Sequence, residues 1–522
     1  MPLSGWIRRE YQGIFLVVLF VAAFYIFIQP LGSGVVMTIS PDEVVNQYFT
    51  ELYASEGKLT YPLPWEDTAG EMLRPRGTVV TDDGQVAPSK FLGYPIFMAP
   101  LVNMIGEGIM PYLIPFFGAL GLCVFYLLVK LEFGYKIAMV STPLVLLTPY
   151  YYWSTLYFYE DILGLFFVLC GLYCSLLGTR SKNWIMTGMG GLCLGCAVIF
   201  KPFYLILLIP YILMILKNHR GNHLLLTLIP AFIGPLLFLM LNVTIYGDFL
   251  VTGFHLQYDR DGEIIPISSR SQLSLFIDNI REYFLFLFPR TLLGALGLTT
   301  SSILKRDGRS DRWFDAYFLV TAIALIVFVL GISGAMDITT VHNSAIRYLL
   351  VINVLLIPYS ILFGVQIVKS IKIKRKNVLH AAVAMAIVSI LVIPGLSFLP
   401  AQEQIENDRI RYDYYNSYAM DRTEDGSIFI CQYSDKYYFP GRMTGNPNYI
   451  VSDNKPLEAA NISIALTELG LTVYFVYDVN RDRSAFNMTA YETYISDMGY
   501  RLTPAVPQYG IVLVELNNTS PI

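Results

Sequence analysis

Charge is scarce in this chain. Only 15% of its 522 residues are Asp, Glu, Lys or Arg, against about 25% in an ordinary soluble protein. With 55% hydrophobic residues and a mean hydropathy of +0.52, a disordered chain is excluded and one soluble domain of this length is disfavoured. Cysteine is sparse too. Cys123, Cys170, Cys174, Cys193 and Cys196 fall in expected membrane spans and Cys431 stands alone near the C-terminus, so no disulfide framework is expected. Cys193 and Cys196 have metal-like spacing, but in an apolar helix without His partners packing is the simpler reading. A cleavable signal peptide is not expected: the apolar run at 14–28 is too long and no small-residue cleavage site follows. The first helix should therefore stay as an anchor.

What charge there is falls unevenly. The formal net charge is −4, yet residues 35–90 sum to −5 and residues 400–522 to −7, which leaves +8 on the remainder. Such segregation is the mark of a polytopic membrane protein. A transmembrane helix needs roughly 20 mostly apolar residues. About eleven candidates satisfy this, near 14–34, 109–129, 137–153, 162–179, 184–200, 202–216, 224–245, 284–303, 313–333, 346–368 and 378–399. Arg8/Arg9, Lys130/Lys136, Arg180/Lys182, Lys217/Arg220, Lys305/Arg306/Arg309/Arg312 and Lys369 to Lys376 lie in alternate short loops. By the positive-inside rule those loops and the N-terminus are cytoplasmic, and the C-terminal region is extracytoplasmic. The expected fold is an α-helical polytopic membrane protein with a small C-terminal α/β domain. Its core spans 1–399, with outer loops 35–108 and 246–283, and the domain covers 400–522. In that tail Ser427–Tyr433, Val473–Tyr477 and Gly510–Glu515 read as strands, with helices at Leu457–Leu469 and Ala485–Met498 between them. Sequons at Asn461, Asn487, Asn517 and Asn518 are compatible with an outside location.

Three sets of residues could carry chemistry. Ser40-Pro41-Asp42-Glu43 puts two carboxylates just beyond the first span. Adjacent carboxylates near apolar walls suit general-base work; equally, Ser40 and the two acids suit the N-terminus of a helix from Val44 to Glu56. Tyr157-Phe158-Tyr159-Glu160-Asp161 places a second acidic pair in a tight turn close to the bilayer. Charges there tend to be functional, although an acidic helix start with a belt of interfacial tyrosines has the same composition. The third set is cationic: Lys201 between two short spans, Arg290 at the eighth, and Arg347 within His342-Asn343-Ser344-Ala345-Ile346-Arg347-Tyr348. Cations at headgroup depth can pair with a lipid phosphate or simply snorkel to the interface.

In order and spacing these features resemble the C-type integral-membrane glycosyltransferases, nearest to the protein O-mannosyltransferase and lipid A aminoarabinose transferase groups. The residues that carry the resemblance are Pro41-Asp42-Glu43, Tyr48, Leu52 and Gly57-Lys58-Leu59, then Lys90 through Tyr94 to Pro95, with one proline where the family has two. Glu160-Asp161, Tyr246-Gly247-Asp248-Phe249 with Thr252-Gly253, and Arg347-Tyr348-Leu349 complete it. The resemblance covers about residues 10–400. It implies transfer of a monosaccharide from a polyprenyl-phosphate donor to a protein, lipid or glycan acceptor, with inversion at the anomeric carbon. Asp42 would be the general base. Glu43, Glu160 and Asp161 would orient the acceptor or bind a divalent metal; Lys201, Arg290 and Arg347 would hold the donor phosphate. Lys90, Tyr94, His342 and Tyr348 are secondary candidates. No organic cofactor and no nucleic-acid partner is expected.

Two other classes compete. A transporter or lipid flippase also places charge among spans, but would more often show paired halves, and no internal repeat is evident. A non-catalytic scaffold presenting the tail leaves the acid-headed first loop unexplained.

Overall fold

A computed structural model describes residues 40–146, 151, 154–155, 157–219, 222–260, 293–294, 296–298, 315–320, 322–323, 350–370, 412, 415–431, 434–450, 454–478, 488–504 and 511–518. Contacts divide the chain into a helical unit (Met1–Val35, Ile109–Met240, Ile264–Glu403) and a loop-and-tail unit (Val36–Gly108, Leu241–Glu263, Gln404–Ile522). The division drawn from sequence after residue 399 had grouped loop 35–108 with the spans; by contacts that loop belongs with the tail.

Among the described residues of the chain, four helices are long and apolar enough to cross a membrane: Glu107–Phe133, Asp161–Ser181, His223–Tyr246 and Leu350–Ile367. Shorter apolar helices run over Gly93–Ile105, Tyr135–Leu146, Trp184–Phe200 and Pro202–Asn218. The expected spans at 14–34 and 378–399 lie outside the described residues, and those at 284–303 and 313–333 largely do. Pro202 explains why the fifth and sixth spans are short. Its fixed φ and missing N–H end the helix at Phe200, and a 3₁₀ segment (Pro202–Leu207) follows before Leu208–Asn218. The hairpin between Asp161–Ser181 and Trp184–Phe200 turns at Lys182, which adopts φ +55°. Asn183 then caps the second helix, its side-chain oxygen accepting from the N–H groups of Ile185 and Met186 at 3.0 and 3.2 Å. These two helices meet backbone to backbone: a β-carbon at Gly190 would lie 2.5 Å from the Ser175 nitrogen. Small residues permit such an approach where lipid supplies no hydrophobic drive between helices.

The loop-and-tail unit holds the β structure. Strands β1 (Tyr61–Pro62), β2 (Thr78–Val80) and β3 (Gln85–Pro88) form an antiparallel sheet in the order β1-β3-β2. The β2–β3 turn closes through Thr81 and Gln85 and uses Gly84 at φ +72°. The tail strands are β4 (Ile428–Ile430), β5 (Met443–Gly445), β6 (Val473–Asp478), β7 (Tyr500–Pro504) and β8 (Ile511–Asn518). Their order is β5-β4-β6-β8-β7, with β5, β4 and β6 parallel and β8 and β7 antiparallel. Helices Lys455–Glu468 and Met488–Asp497 stand where the sequence placed them, within two to three residues at their N-terminal ends. Strand alternation separates two cores. Ile428, Ile430, Val473 and Phe475 join the helices on one face; Phe429, Cys431, Tyr474 and Val476 meet Tyr415, Tyr418, Tyr437 and Tyr438 on the other. Ala69, Met72 and Leu73, from the first loop, sit in the first of these cores. A segment nearly 400 residues away in sequence is thus part of the tail's own interior.

Candidate active site

The first acidic pair opens the helix Pro41–Glu56. Ser40 precedes it in extended conformation, and Pro41 occupies the first helical position, where a missing N–H costs nothing. Glu43 is fully buried and its carboxylate accepts the Ser40 N–H at 3.0 Å, the reciprocal arm of a capping box. Asp42 differs. Its side chain stays partly exposed, and the Lys90 ammonium lies 3.5 Å from its Oδ1. The doublet therefore divides into a carboxylate that orders the helix start and one that faces a cation at the protein surface.

Lys90 is delivered by β3 and fixed from a second direction. Tyr246 donates its hydroxyl hydrogen to the Pro88 carbonyl at 2.7 Å. A β-carbon at Gly253 would lie 2.3 Å from that same carbonyl oxygen and 2.7 Å from Ser89 Cα, so only glycine lets the backbone pass. The Phe254 ring centroid is 5.4 Å from the Lys90 ammonium. The Tyr-Gly-Asp-Phe and Thr-Gly stretches thus converge on the residues flanking Lys90. Tyr94, the other secondary candidate from this stretch, is buried in the helix Gly93–Ile105.

In the helical unit the structure brings three of the predicted residues together. Asp161 is the first residue of its helix and Glu160 precedes it, where the helix dipole favours negative charge. Lys201, at the break between Phe200 and Pro202, hydrogen-bonds and ion-pairs with Asp161, and its ammonium is 4.0 Å from Glu160. Lys201 and Asp161 are both almost fully buried. Sequence reading gave the acids and the lysine separate roles; folding makes them one cluster. The signal was available, since two acids and one lysine inside otherwise apolar runs need partners. Arg290, His342, Arg347 and Tyr348 lie outside the described residues. Among the described residues no group of three or more His, Cys, Asp and Glu is arranged to hold a metal ion.

The sequence reading missed a third ionic arrangement. The Asp435 carboxylate accepts the Arg76 main-chain N–H at 2.8 Å and its Nε–H at 2.7 Å, with the second guanidinium nitrogen 2.7 Å away. Burial works against the Arg76 charge, but the charge and hydrogen bonds of Asp435 outweigh it and raise the pKa above its ordinary value. Arg74 lies beside it, buried, its guanidinium 3.7 Å from the Tyr449 ring centroid and 3.3 Å from Glu71. The available sign was Arg74-Pro75-Arg76, an arginine pair in an otherwise acidic loop.

Residues 94–246 match the family model of dolichyl-phosphate-mannose-protein mannosyltransferases. The whole fold is similar to ArnT from Cupriavidus metallidurans, solved bound to undecaprenyl phosphate, with TM-score 0.56 and 14% identity over 98% of either chain. It is also similar to the archaeal oligosaccharyltransferase AglB from Archaeoglobus fulgidus, solved with an inhibitory peptide and a dolichol-phosphate. There the TM-score is 0.54 and the identity 13%, over 97% of this chain and 74% of that one. No curated protein matches by sequence. What this chain shares with ArnT and AglB is a fold, the one that the order of sequence motifs implied.

Proposed function

We propose that this protein is a multi-pass enzyme of the cell membrane that transfers a monosaccharide from a polyprenyl-phosphate donor to an acceptor on the extracytoplasmic face. In this reading the N-terminus is cytoplasmic and the tail lies outside. The observation that carries the reading is the match of residues 94–246 to a mannosyltransferase model that uses a lipid-phosphate sugar. The lipid phosphates bound in ArnT and AglB, whose fold this chain shares, support it.

Asp42 is the general base. It takes the proton of an acceptor hydroxyl, the hydroxyl oxygen attacks the anomeric carbon, and the bond to the donor phosphate breaks with its electron pair on the phosphate. One displacement of this kind inverts the anomeric centre. A base placed in hydrogen-bond reach of its proton is typically worth 10²–10⁴ in rate. Lys201, Arg290 and Arg347 meet the donor phosphate and its growing charge, while Glu160 and Asp161 orient the acceptor and hold Lys201. A donor that cannot leave the bilayer must present its phosphate at headgroup depth, where a buried lysine such as Lys201 is of use.

Transfer of radiolabel from synthetic polyprenyl-phosphate sugars tests the reading. Asp42→Asn should abolish transfer without changing membrane expression, and full activity in that variant removes the base assignment. Loss of Lys201 or Arg347 should raise the donor KM; unchanged values in both remove the phosphate clamp.

A further inference from the structure

The dipeptide Arg76-Gly77 touches both arms that carry the Asp42–Lys90 pair. Gly77 adopts φ +83°, and a β-carbon there would stand 3.0 Å from Val45 Cγ2 and 3.3 Å from the Pro41 carbonyl oxygen. It is therefore pressed on the helix start beside Asp42. Its own carbonyl accepts the N–H of Ser89, the residue before Lys90, at 2.8 Å. On its other side Arg76 is gripped by Asp435 through main chain and side chain together. Asp435 is buried and sits in the 3₁₀ turn Asp435–Tyr437 between β4 and β5 of the tail sheet. Two more bonds fasten the same stretch: the Asn446 N–H reaches the Met72 carbonyl, and Arg74 donates to the Thr78 carbonyl.

We propose that Asp435 and Arg76 are positioning residues: through Gly77, the tail holds Asp42 and Lys90 at their working separation. The proposal rests on Asp42 being the base. It gives the tail a role in catalysis with no contact to substrate. A rigid two-point grip on one residue transmits a position as well as an attraction, because a carboxylate bonded to both N–H and guanidinium leaves that residue little freedom. Small misplacements of a catalytic group from distant changes can cost on the order of 10²-fold in rate.

Hydrogen exchange on the full chain in detergent needs no substrate and tests this directly. In Asp435→Asn, amides in 41–47 and 86–92 should exchange about ten-fold faster while those of β4, β6 and β8 stay protected. With polyprenyl-phosphate mannose as the probe, kcat per folded molecule should fall about ten-fold or more at unchanged donor KM. Arg76→Lys, which keeps the charge and the main-chain bond, should recover part of both. Unchanged exchange in 41–47 and 86–92 would overturn the proposal. If Asp435→Asn loosens the tail sheet as well, Gly77→Ala decides. It changes neither partner of the ion pair and strains Gly77 itself, at φ +83°, with its contact to Pro41 and Val45, so the same local loosening supports the proposal and none overturns it. A wild-type protein that transfers nothing from the mannosyl donor counts against the reading of function, while the exchange result still settles the positioning.

Discussion

The two acidic doublets begin as the same feature and end as different ones. Asp42-Glu43 and Glu160-Asp161 each head a helix, and each has a lysine within 4 Å. In the loop-and-tail unit the buried acid is Glu43, which bonds to its own helix start, and the acid beside the lysine is partly exposed. In the helical unit the acid beside the lysine is itself buried, and so is the lysine. Helix-end electrostatics account for both positions equally well. Solvent separates them. A pair at the edge of water can exchange its partner for a substrate at small cost, whereas in a buried pair the two charges stay together and a ligand can only join the lysine beside its acid.

The largest effect expected from this contrast is on turnover. Asp42→Asn should lower transfer by about 10²–10⁴-fold while leaving thermal stability within a few tenths of a kcal/mol. Glu43→Gln should behave in the opposite way, losing on the order of 1 kcal/mol of helix-cap stability with a smaller change in rate. Measuring rate and unfolding temperature on both variants checks the division of labour. A dead Glu43→Gln that stays folded, beside an active Asp42→Asn, would reverse the assignment.

In the helical unit the largest effect falls on stability. Lys201→Met strands Asp161 and Glu160 without their cation, and breaking a buried pair from one side costs about 3–5 kcal/mol. The double variant with Asp161→Asn should regain a good part of that loss, since it removes the stranded charge as well. Thermal unfolding of the single and double variants reads this out. Additive losses would show that the two residues are not coupled.

Sequence reading reached the helices well because their signal is local: an apolar run, a proline that stops it, an asparagine that caps it. It also reached the tail's helices and three of its strands, through alternation such as Val473 to Tyr477. It did not reach β5 and β7, three and five residues long, or the hairpin around Asp82-Asp83-Gly84, whose turn residues lie in the net-acidic stretch 35–90. The ionic partnerships were the least legible. Asp42 with Lys90, Asp161 with Lys201 and Arg76 with Asp435 are 48, 40 and 359 residues apart. Composition announces that a charge needs a partner, but only the fold decides which residue supplies it. The tail's share in the first loop was hidden for the same reason: Ala69, Met72 and Leu73 are ordinary apolar residues until they are seen inside the tail's core.

Tyr246→Phe probes the Lys90 side of the exposed pair without touching either charge. It removes one hydrogen bond to the Pro88 carbonyl, a loss of about 1 kcal/mol for the bond, and somewhat more if the carbonyl stays dry. Stability should fall by roughly that amount and the rate by only a few-fold. A rate loss as large as that of Asp42→Asn would mean that this tyrosine acts in the chemistry rather than beneath it.

Glu51 sharpens the comparison from the other side, because it is half-buried on the same helix as Asp42 and Glu43 and its side-chain donor is an amide, not a cation. Gln47 donates to it at 2.9 Å. Burial pushes its carboxyl above the usual glutamate range; the Gln47 bond opposes this, and the negative charge of Glu107 adds to it. An acid whose pKa rises on folding binds its proton more tightly in the native state. Its ionisation therefore weakens the fold as pH rises through the folded value, and the loss persists at neutral pH. Glu51→Gln keeps an acceptor for Gln47 and removes the charge. It should stabilise the protein at neutral pH by a few tenths of a kcal/mol, a small figure because the group is partly solvated. The advantage should fade as pH falls through the carboxylate range, since wild-type Glu51 is then neutral too. Unfolding temperatures of both proteins at pH 7 and near pH 4 give the comparison, and a variant less stable than wild type at pH 7 would show that solvent already offsets the missing cation.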